Sequence, residues 1–404
     1  MEKMLFESAL GIEKPLYIKT IKFNKEEGRL DLEIDFKTGA KFCCSECGEA
    51  ERPVHDCQKR SWRHLNFFQY QCHIHFRNPR IKCGTCGTVQ WKAPWSRSQS
   101  GFTQLFEAFI LTLAKEMPIL KIGSLVGEHD TRLWRIIHHH VGEAYAKKDF
   151  SSLSLVGCDE TSSKKGHNYV TVFADLESKE VVYATQGKNA ETVKCFADEL
   201  SNHNASADQV SEVAIDMSKA FIKGVKEHLS KAQVTFDKFH VVKALNEVQD
   251  EVRRIEQREN PLLRKTRYIW LKNPANLTAK QKQTLENLPT KNLKTAKVYQ
   301  MKLVFQDIYR TYTCPILAEE AIKKWLAWAV RSRIAPVVEF AKTVKNHFAG
   351  IMRYFTSGLT SGSMEGINSR IQNTKRRARG FRNINNLIAM IYLENTNLEF
   401  DLPM

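Results

Sequence analysis

Three acidic residues stand where a carboxylate could do chemistry. Asp159 follows the apolar run LSLVGC, Asp216 follows VAI in VSEVAIDMSKAF, and Glu365 opens the stretch SGSMEGINSRIQNTKRRARGFR. Two close carboxylates repel each other and need a cation between them, and hard oxygen ligands beside a phosphate indicate Mg²⁺ or Mn²⁺. Taken alone, Glu365 has a simpler interpretation as a carboxylate that favours a helix N-terminus.

The segments around these acids follow the order of a ribonuclease-H-like core. The strand LSLVGCD precedes the hairpin HNYVTVFADL-ESKE-VVYAT, the helix ETVKCFADELSNH and the strand that ends in Asp216. A further strand, AQVTFDKFH, ends in Asp237. If the strands of Asp159 and Asp216 are neighbours, both carboxylates reach one sheet edge, and Glu365 would join them from a late helix. Glu160 points to the other face of its strand, because successive strand side chains alternate.

A cluster of cysteines indicates a second metal site. Seven of the ten cysteines lie between residues 43 and 86, and they include the motifs CSECG at 44–48 and CGTCG at 83–87. Each Cys-x-x-Cys places two sulfurs on one tight turn, and four sulfurs suit tetrahedral Zn²⁺. The predicted ligands are Cys44, Cys47, Cys83 and Cys86. A redox pair and free structural thiols remain alternatives, and other possible ligands are Cys43, Cys57, Cys72, His55 and His64.

The stretch MPILKIGSLVGEHDTRLWRIIHHHV, residues 117–141, predicts a helix-turn-helix. A helix Ile119–Val126 would end at Gly127, and a second helix would cover Arg132–Val141. Thr131, Arg132 and Arg135 would face outward from the second helix, towards the DNA major groove. An ordinary helical hairpin is the alternative, and the run His138-His139-His140 is expected to be a solvated helix end.

Composition favours a nucleic-acid partner over a membrane. The 404 residues carry 61 Lys+Arg against 45 Asp+Glu, a formal net charge of +16, and 42% of them are hydrophobic. Such an excess of cations favours a polyanion. No apolar run approaches the roughly 18 residues that argue for a membrane helix, and the N-terminus lacks a signal-peptide pattern. We therefore expect a cytoplasmic protein.

Taken together, these blocks resemble the bacterial insertion-sequence transposases of the ISL-three family. The resemblance covers nearly the whole chain and includes DKFHVVKALNEVQDEVRR and RYIWLKNPANLT. It implies a catalytic triad of Asp159, Asp216 and Glu365 on a ribonuclease-H-like fold with a helical insertion. It also implies metal-dependent cleavage and strand transfer at terminal inverted repeats. Asp237 and His240 resemble the (Cys/Asp)-x-x-His signature of related transposases, which implies a supporting role.

Two other functions remain as alternatives at this stage. One is a transcription regulator with a zinc ribbon, a helix-turn-helix and an inactive nuclease core. The other is a nuclease that only cleaves. Because all three acids are intact, an active transposase is the favoured interpretation.

The predicted fold class is multidomain α+β. We expect an N-terminal β-hairpin region at 1–40, a zinc ribbon at 41–95, and a helix-turn-helix domain at 101–150. The ribonuclease-H-like core would span 151–250 and 351–404, with an α-helical insertion at 251–350. The expected cofactors are catalytic Mg²⁺ or Mn²⁺ and structural Zn²⁺, and the expected partner is double-stranded DNA, both element ends and target. A homodimer or higher oligomer on DNA is expected, and no membrane.

Further DNA contacts are expected from cations near the acids and from the insertion. Trp270, Trp325 or Trp328 could stack on an unpaired base, although a tryptophan in a helical domain is more often part of the core. The cations expected to contact the DNA backbone are Lys164, Lys165, Arg370, Lys375, Arg376, Arg377 and Arg379.

Overall fold

The computed structural model describes residues 2–164, 166, 168–360 and 362–403. Lys165, one of the predicted DNA-contacting lysines, lies outside the described residues. The chain divides into two compact units, one of Met1–Tyr145 with Leu398–Met404 and one of Ala146–Asn397. Among the described residues, no helix has the length and apolar character that crossing a bilayer requires.

The first unit begins with a helix, α1 (Glu2–Ala9), and a β-sheet. The sequence RLDLEIDF alternates apolar and polar residues, and its apolar side chains are buried as a strand with one covered face requires. The predicted hairpin forms around Gly28, whose φ of 60° is easily adopted by glycine. The sheet has the order β1-β2-β5-β4-β3, with β6 paired to β5. Its strands are β1 (Leu16–Asn24), β2 (Arg29–Phe36), β3 (Lys41–Phe42), β4 (Arg52–Arg63), β5 (Gln71–Cys83) and β6 (Gly87–Gln90).

Three helices follow in the same unit: α2 (Gln104–Glu116), α3 (Ile119–Val126) and α4 (Asp130–Ala146). The side chain of Thr103 caps α2 by accepting a hydrogen bond from the Phe106 backbone N–H. Helix α3 has the predicted bounds and ends at Gly127, whose φ is 72°. Helix α4 is longer than the predicted Arg132–Val141, because its buried stripe continues through Ala144.

The expectation of a solvated histidine run is wrong for one of its members. His140 is buried, and its Nε2 lies 2.6 Å from Oε2 of Glu107, which is fully buried on α2. Ser100 also donates to this carboxylate, over 2.6 Å, and Arg97 Nε pairs with it at 3.0 Å. Burial raises the pKa of Glu107, but these partners outweigh burial and hold it below its usual value. The cluster joins α2 to α4.

The second unit contains a sheet of the order β11-β10-β7-β8-β9. Strands β7, β8 and β9 form an antiparallel meander, and β10 and β11 add in parallel on the other side of β7. This is the predicted ribonuclease-H-like arrangement, and the multidomain α+β fold class is confirmed. The elements are β7 (Leu155–Lys164), β8 (Asn168–Asp175), β9 (Val181–Gln186), α5 (Ala190–Leu200), β10 (Glu212–Ile215), α6 (Lys219–His228) and β11 (Gln233–Phe236).

Beyond β11, the regular secondary structure of the described residues consists of helices. Its core is aromatic: the Phe305 ring centroid lies 4.7 Å from that of Trp325 and 5.9 Å from that of Phe340. The helices are α7 (Lys238–Glu256), α8 (Arg267–Leu271), α9 (Ala279–Glu286), α10 (Lys294–Thr311), α11 (Pro315–Arg331), α12 (Ala335–Asn346), α13 (Phe348–Ser357), α14 (Gly362–Arg377) and α15 (Ile384–Asn395).

A buried lysine connects α10 to α8. Lys302 is 0% exposed, and its Nζ donates to the backbone oxygens of Trp270 (2.8 Å) and Leu271 (3.0 Å), the last residues of α8. A cation at a helix C-terminus is favourable, and these carbonyls have no partner within the helix. Burial nevertheless lowers the pKa of Lys302 to about 8.

This lowered pKa predicts a pH dependence of stability. Between the folded pKa of about 8 and the ordinary value of 10.5, the unfolded chain holds the Lys302 proton and the folded chain does not. The free energy of unfolding should therefore rise with pH across that window, by up to about 3 kcal/mol. Lys302→Met should remove this rise, whereas Lys297→Met, at an exposed position of the same helix, should keep it. Denaturant unfolding followed by tryptophan fluorescence measures both, and equal pH slopes for the two variants would contradict the assignment.

Candidate active site and metal centre

Strand register brings three aspartates to one edge of the five-stranded sheet. Between β10 and β7, Val213 is paired with Val156 and Ala214 with Gly157, so the same register sets Asp216 opposite Asp159. Between β10 and β11, Ile215 is paired with Phe236, which sets Asp216 opposite Asp237. The prediction that Asp159 ends its strand is wrong, because β7 continues to Lys164 in its pairing with β8. Asp216 and Asp237 directly follow the last residues of β10 and β11, and the register places all three aspartates side by side.

The carboxyl of Asp159 is half-buried, and its charged form is disfavoured. Burial raises its pKa, and the nearby charge of Asp216 adds to that rise. The backbone N–H of Glu160, the charge of His240 and a hydrogen bond from Asn368 act in the opposite direction without cancelling the rise. A divalent cation would lower the pKa of Asp159 again, because it stabilises the ionised carboxylate.

Helix α14 lies along β7 in a matched register. A side chain at Gly157 would clash with Met364, since an added Cβ would lie 2.8 Å from the Met364 Cγ. Further along, Asn368 Nδ2 donates to Asp159 Oδ2 (2.6 Å), and one turn later Gln372 Nε2 donates to Thr161 Oγ1 (2.8 Å). Four helix residues rise about 6.0 Å and two strand residues about 6.6 Å, so the two elements stay in step.

The register determines where Glu365 stands. It precedes Asn368 by three residues, and helix positions i and i+3 share a face. The helix therefore presents Glu365 on the side from which Asn368 reaches Asp159, and its side chain is exposed. Within the described residues, the carboxylate oxygens of Asp159, Asp216 and Glu365 do not gather within 4.8 Å of one another, as the cysteine sulfurs do. Like charges stay apart without a cation between them.

One orphaned atom tests whether these residues suit a divalent ion. The Oδ1 of Asn368 is buried, and the described residues offer it no hydrogen-bond donor. Buried polar atoms normally have a partner, and a cation bound beside Asp159 would supply one for this oxygen. Carboxylate and amide oxygens are the hard ligands that Mg²⁺ and Mn²⁺ prefer, and the donor set therefore fits.

The cations around this edge fall into two groups. Arg370, Lys375 and Arg377 are bonded within the domain, to Asn395, to the Ser162 carbonyl and to Glu394 respectively. These three residues therefore hold α14 to its neighbours. Their contact with DNA stays a prediction. Lys164, Arg376 and Arg379 are exposed, and Arg370 is also exposed despite its bond to Asn395.

The four predicted cysteines converge in the first unit. Their sulfurs all lie within 4.8 Å of one another, and the Sγ atoms of Cys47 and Cys83 are 3.5 Å apart. Hydrogen bonds from backbone N–H groups lower the pKa of Cys44 to about 7, whereas a hydrogen bond with Cys47 leads the causes that raise the pKa of Cys86 to about 12. Four thiolates so close together need a cation, and Zn²⁺ is the usual one. The alternative ligands do not join this group among the described residues.

The predicted DNA-reading face of α4 is exposed at Thr131, Arg132 and Arg135, while Leu133, Ile136 and Ile137 are buried. The guanidinium of Arg132 is paired with Glu128 and lies 4.4 Å above the Phe102 ring. This double engagement holds Arg132 in place, so Arg135 is the more available of the two arginines.

Comparison with known proteins identifies the class and then the family. A family model of the DDE transposase domain of the ISL3 type matches residues 156–391. A helix-turn-helix model of transposase family ISL3 matches residues 92–141, and a zinc-finger model of IS204/IS1001/IS1096/IS1165 transposases matches residues 40–86. The chain belongs to the ISL3 family of transposases, and is thus a DDE transposase, an enzyme that acts on DNA. The alternative of a transcription regulator is not favoured.

Two curated relatives extend over the whole chain. The transposase for insertion sequence element IS1001 of Bordetella parapertussis is 28% identical over 396 residues, covering 95% of each chain. The transposase for insertion sequence element IS1557 of Mycobacterium tuberculosis is 26% identical over 430 residues, covering 96% of this chain and 94% of the relative.

The sequence analysis did not find the contact of Asn368 with Asp159 or the matching contact of Gln372 with Thr161. A signal was present: Met364, Asn368 and Gln372 follow one another at intervals of four along one face of the helix. The amides Asn368 and Gln372 on the same face as buried Met364 indicate that this face packs against polar groups as well as apolar ones.

The cysteine cluster predicts about one Zn²⁺ per chain. Elemental analysis should find it in the wild type and should find it lost from Cys83→Ser plus Cys86→Ser, since two of four thiolate ligands are removed. The matched control is Cys43→Ser, an exposed cysteine next to Cys44. Full zinc content in the double variant would exclude these ligands.

The Asn368 contact predicts a role in metal binding. Asn368→Ala should weaken Mn²⁺ binding, measured calorimetrically without DNA, by about 10- to 100-fold, the usual effect of losing a group that orients a ligand. Gln372→Ala removes the equivalent helix-to-strand hydrogen bond one turn later and should leave Mn²⁺ affinity unchanged. If both variants lose affinity equally, Asn368 only docks the helix.

Proposed function

We propose that this transposase binds the terminal inverted repeats of its insertion sequence and cleaves and joins DNA strands with Asp159, Asp216 and Glu365. One observation carries the assignment: the parallel register of β7 and β10 sets the two aspartates opposite each other. The docking of α14 through Asn368 supports the third acid, because it brings Glu365 to the same side of the helix.

Divalent cations, Mg²⁺ or Mn²⁺, would be held by the three carboxylates together with Asn368 Oδ1. When bound, such ions activate the attacking oxygen and stabilise the leaving 3′ oxygen of a phosphodiester. The residues of the chain supply position and charge: Asn368 orients Asp159, and the sheet fixes the spacing of Asp159 and Asp216. Cleavage and strand transfer are both in-line phosphoryl transfers, so one site serves both.

Asp237 and His240 would support this site rather than hold the ion directly. Asp237 is buried and continues the row of aspartates, and it immediately precedes α7. The charge of His240 lowers the pKa of Asp159, although burial dominates that pKa. Protonated His240 would thus favour the ionised form of the first acid.

DNA recognition would reside mainly in residues 41–141. There, Cys44, Cys47, Cys83 and Cys86 would hold Zn²⁺, and Arg135 with Thr131 and Arg132 would read element ends. Exposed cations beside the active site would bind the DNA backbone of the ends and of the target, with Lys165 added from outside the described residues. We further propose that the enzyme acts in the bacterial cytoplasm at the nucleoid, as a dimer or higher oligomer on DNA.

Glu365→Gln tests the triad. The amide keeps the size of the side chain but removes an anionic ligand, so cleavage and joining of labelled element-end DNA in Mg²⁺ should fall by orders of magnitude. Binding of the same DNA should survive. Glu177→Gln, at an exposed turn on the opposite edge of the sheet, is the control and should be as active as wild type.

If Glu365→Gln cleaves DNA at the wild-type rate, Glu365 is not the third acid of the triad, and Asp237 is the next candidate. Cleavage without joining by the wild type would identify a nuclease rather than a strand transferase. Absence of both activities, with specific binding retained, would favour the regulator.

Arg135→Ala tests recognition by α4. A lost bidentate contact with a base costs about 1–3 kcal/mol, so affinity for the terminal repeat should fall 5- to 150-fold while affinity for scrambled DNA falls less. Lys147→Ala, an exposed cation just beyond α4, is the control for the loss of a positive charge. Equal losses on both duplexes would assign Arg135 to the phosphate backbone.

A further inference from the structure

The loop between β4 and β5 holds an aromatic ring out into the solvent. It narrows to a two-residue turn with Phe68 and Gln69 at its tip. Phe68 is 80% exposed, more than any other large apolar side chain of the described residues. By comparison, Trp270 and Trp325, which were considered for stacking on a base, are 1% and 2% exposed. Because water disfavours apolar surface, such a ring is a cost to the free protein.

The backbone of Phe68 is strained as well. Its φ is 52°, in the left-handed region that glycine adopts readily and a bulky side chain rarely does. When the first central residue of a two-residue hairpin turn has a positive φ, that residue is usually glycine. Glycine at this position would remove both the strain and the exposed ring. A strained residue that local packing does not require indicates a functional constraint.

The turn itself is firmly held. The backbones of Phe67 and Tyr70 are hydrogen-bonded to each other in both directions, over 2.9 and 3.0 Å. The centroid of the Phe67 ring lies 5.3 Å from that of Phe6, and the centroid of the Tyr70 ring lies 5.5 Å from that of Phe23. Phe68 contacts the edge of this cluster through Phe67, at 4.8 Å, and leaves most of its own surface free. The anchored turn therefore presents Phe68 in a fixed position.

The base of the hairpin is connected to the helix-turn-helix. The buried guanidinium of Arg63 donates to the backbone oxygen of Cys72 on the hairpin and to that of Val126 at the end of α3, over 3.2 Å in each case. Arg63 also pairs with Glu128 at 3.8 Å, and Glu128 pairs with Arg132 on α4. One chain of charged groups thus links the base of the hairpin to the predicted DNA-reading face.

The turn between α3 and α4 packs directly against the hairpin. A Cβ at Gly127 would collide with the side-chain amide of Gln71, the first residue of β5. His64, at the start of the loop, is hydrogen-bonded through Nδ1 to the hydroxyl of Thr103, the N-cap of α2, at 2.9 Å. The hairpin and the helix-turn-helix are therefore parts of one packed unit, with the aromatic tip beside the turn that leads into α4.

The tip is uncharged, although the chain as a whole is strongly basic. Residues 64–72 contain no Lys, Arg, Asp or Glu. Burial, together with the charge of Arg63, lowers the pKa of His64 to about 4, so this histidine is neutral at physiological pH. A surface without cations is poorly suited to phosphates. An apolar ring and an amide suit the floor of a DNA groove, where the bases present apolar surfaces and hydrogen-bond acceptors.

We propose that the tip of the β4–β5 hairpin enters the minor groove of the element end, next to the major groove that α4 reads, and that Phe68 wedges between two base pairs. Gln69 would hydrogen-bond the acceptors of the adjoining pairs. Apolar wedges kink the duplex, and Gln is among the side chains that read minor-groove edges beside them. The proposal rests on the proposed recognition of element ends by residues 41–141, to which it adds a second contact.

A second copy of the chain is the competing occupant, and the available area argues against it. Phe23, 46% exposed, is the nearest apolar addition to the tip, since its ring lies 6.0 Å from that of Phe67. Two aromatic rings bury about 150–250 Å² each, whereas a stable interface buries about 800 Å² per partner. A wedge between base pairs needs one ring. The connection to α4 through Arg63 and Glu128 also favours DNA.

The test measures binding and bending of a duplex that carries the terminal repeat. Full-length protein is used in EDTA, which prevents cleavage, and energy transfer between dyes at the duplex ends reports the bend. Phe68→Gly should lower affinity about tenfold and abolish the bend, because the wedge is lost. The slope of log affinity against log salt should stay the same, because no phosphate contact is lost. Phe109→Ala, a 40% exposed phenylalanine on α2, is the control and should keep affinity and bend.

The choice of glycine separates binding from folding. Glycine accepts a φ of 52°, so Phe68→Gly should be as stable to heat as the wild type. Phe68→Trp keeps a flat apolar ring and should bend DNA. If Phe68→Gly is clearly less stable, Phe68→Trp decides: recovery of stability without recovery of the bend overturns the proposal.

Exchange of single A·T pairs for I·C pairs identifies the groove. The exchange keeps the acceptors of the minor groove and changes the edges in the major groove. The Phe68-dependent bend should survive it at every position, and its loss at the position of the kink would assign the tip to the major groove and overturn the proposal.

Other results would overturn the proposal without affecting the proposed function. One is a wild type that cleaves element ends while Phe68→Gly binds and bends them equally well. Another is a DNA-free dimer that Phe68→Gly converts to a monomer, which would assign the tip to a second copy. Conversely, a Phe68-dependent bend on scrambled and terminal-repeat duplexes alike, bound with equal affinity, would support the wedge and contradict the proposed recognition of element ends.

Discussion

The mutual repulsion of carboxylates at one sheet edge is the constraint on which the catalytic unit depends. Asp159 lies within β7, and Asp216 and Asp237 directly follow β10 and β11, where the register of the three parallel strands places them side by side. Burial already raises the pKa of Asp159. The strand register keeps these backbone positions adjacent, although burial and the charge of Asp216 disfavour the ionised form of Asp159.

Completion of the edge requires a helix from far along the chain. Helix α14 follows β11 only after the helices of the insertion, so the loop that it closes is long and its docking must be strongly specified. That specification comes from the matched rise of α14 and β7, with Met364 packed on Gly157 and polar pairs at Asp159 and Thr161. Gly157 is needed because any Cβ would collide with Met364. The helical segment from α7 to α14 thus contacts the acidic edge at both ends, since α7 directly follows Asp237 and α14 packs on β7.

Much of the architecture follows from local patterns. The hairpin around Gly28, the bounds of α3 and the strands that lead to Asp159 and Asp216 follow from alternation, from glycine at turns and from apolar runs. The cysteine grouping follows from two Cys-x-x-Cys motifs, whose sulfurs are brought together in the structure. Local pattern failed at His140, because a histidine that terminates a polar run becomes buried when a distant glutamate packs against it.

By itself, the sequence determined the residue types, their periodicity and their order, and these define the family, the fold class and the acids available for chemistry. Those properties are local, since a strand alternates and a helix repeats whatever lies beside it. Only the tertiary structure decided which groups meet: Asn368 with Asp159, Lys302 with the end of α8, and His140 with Glu107. Such meetings depend on register and packing between segments far apart in the chain, which no local spacing encodes.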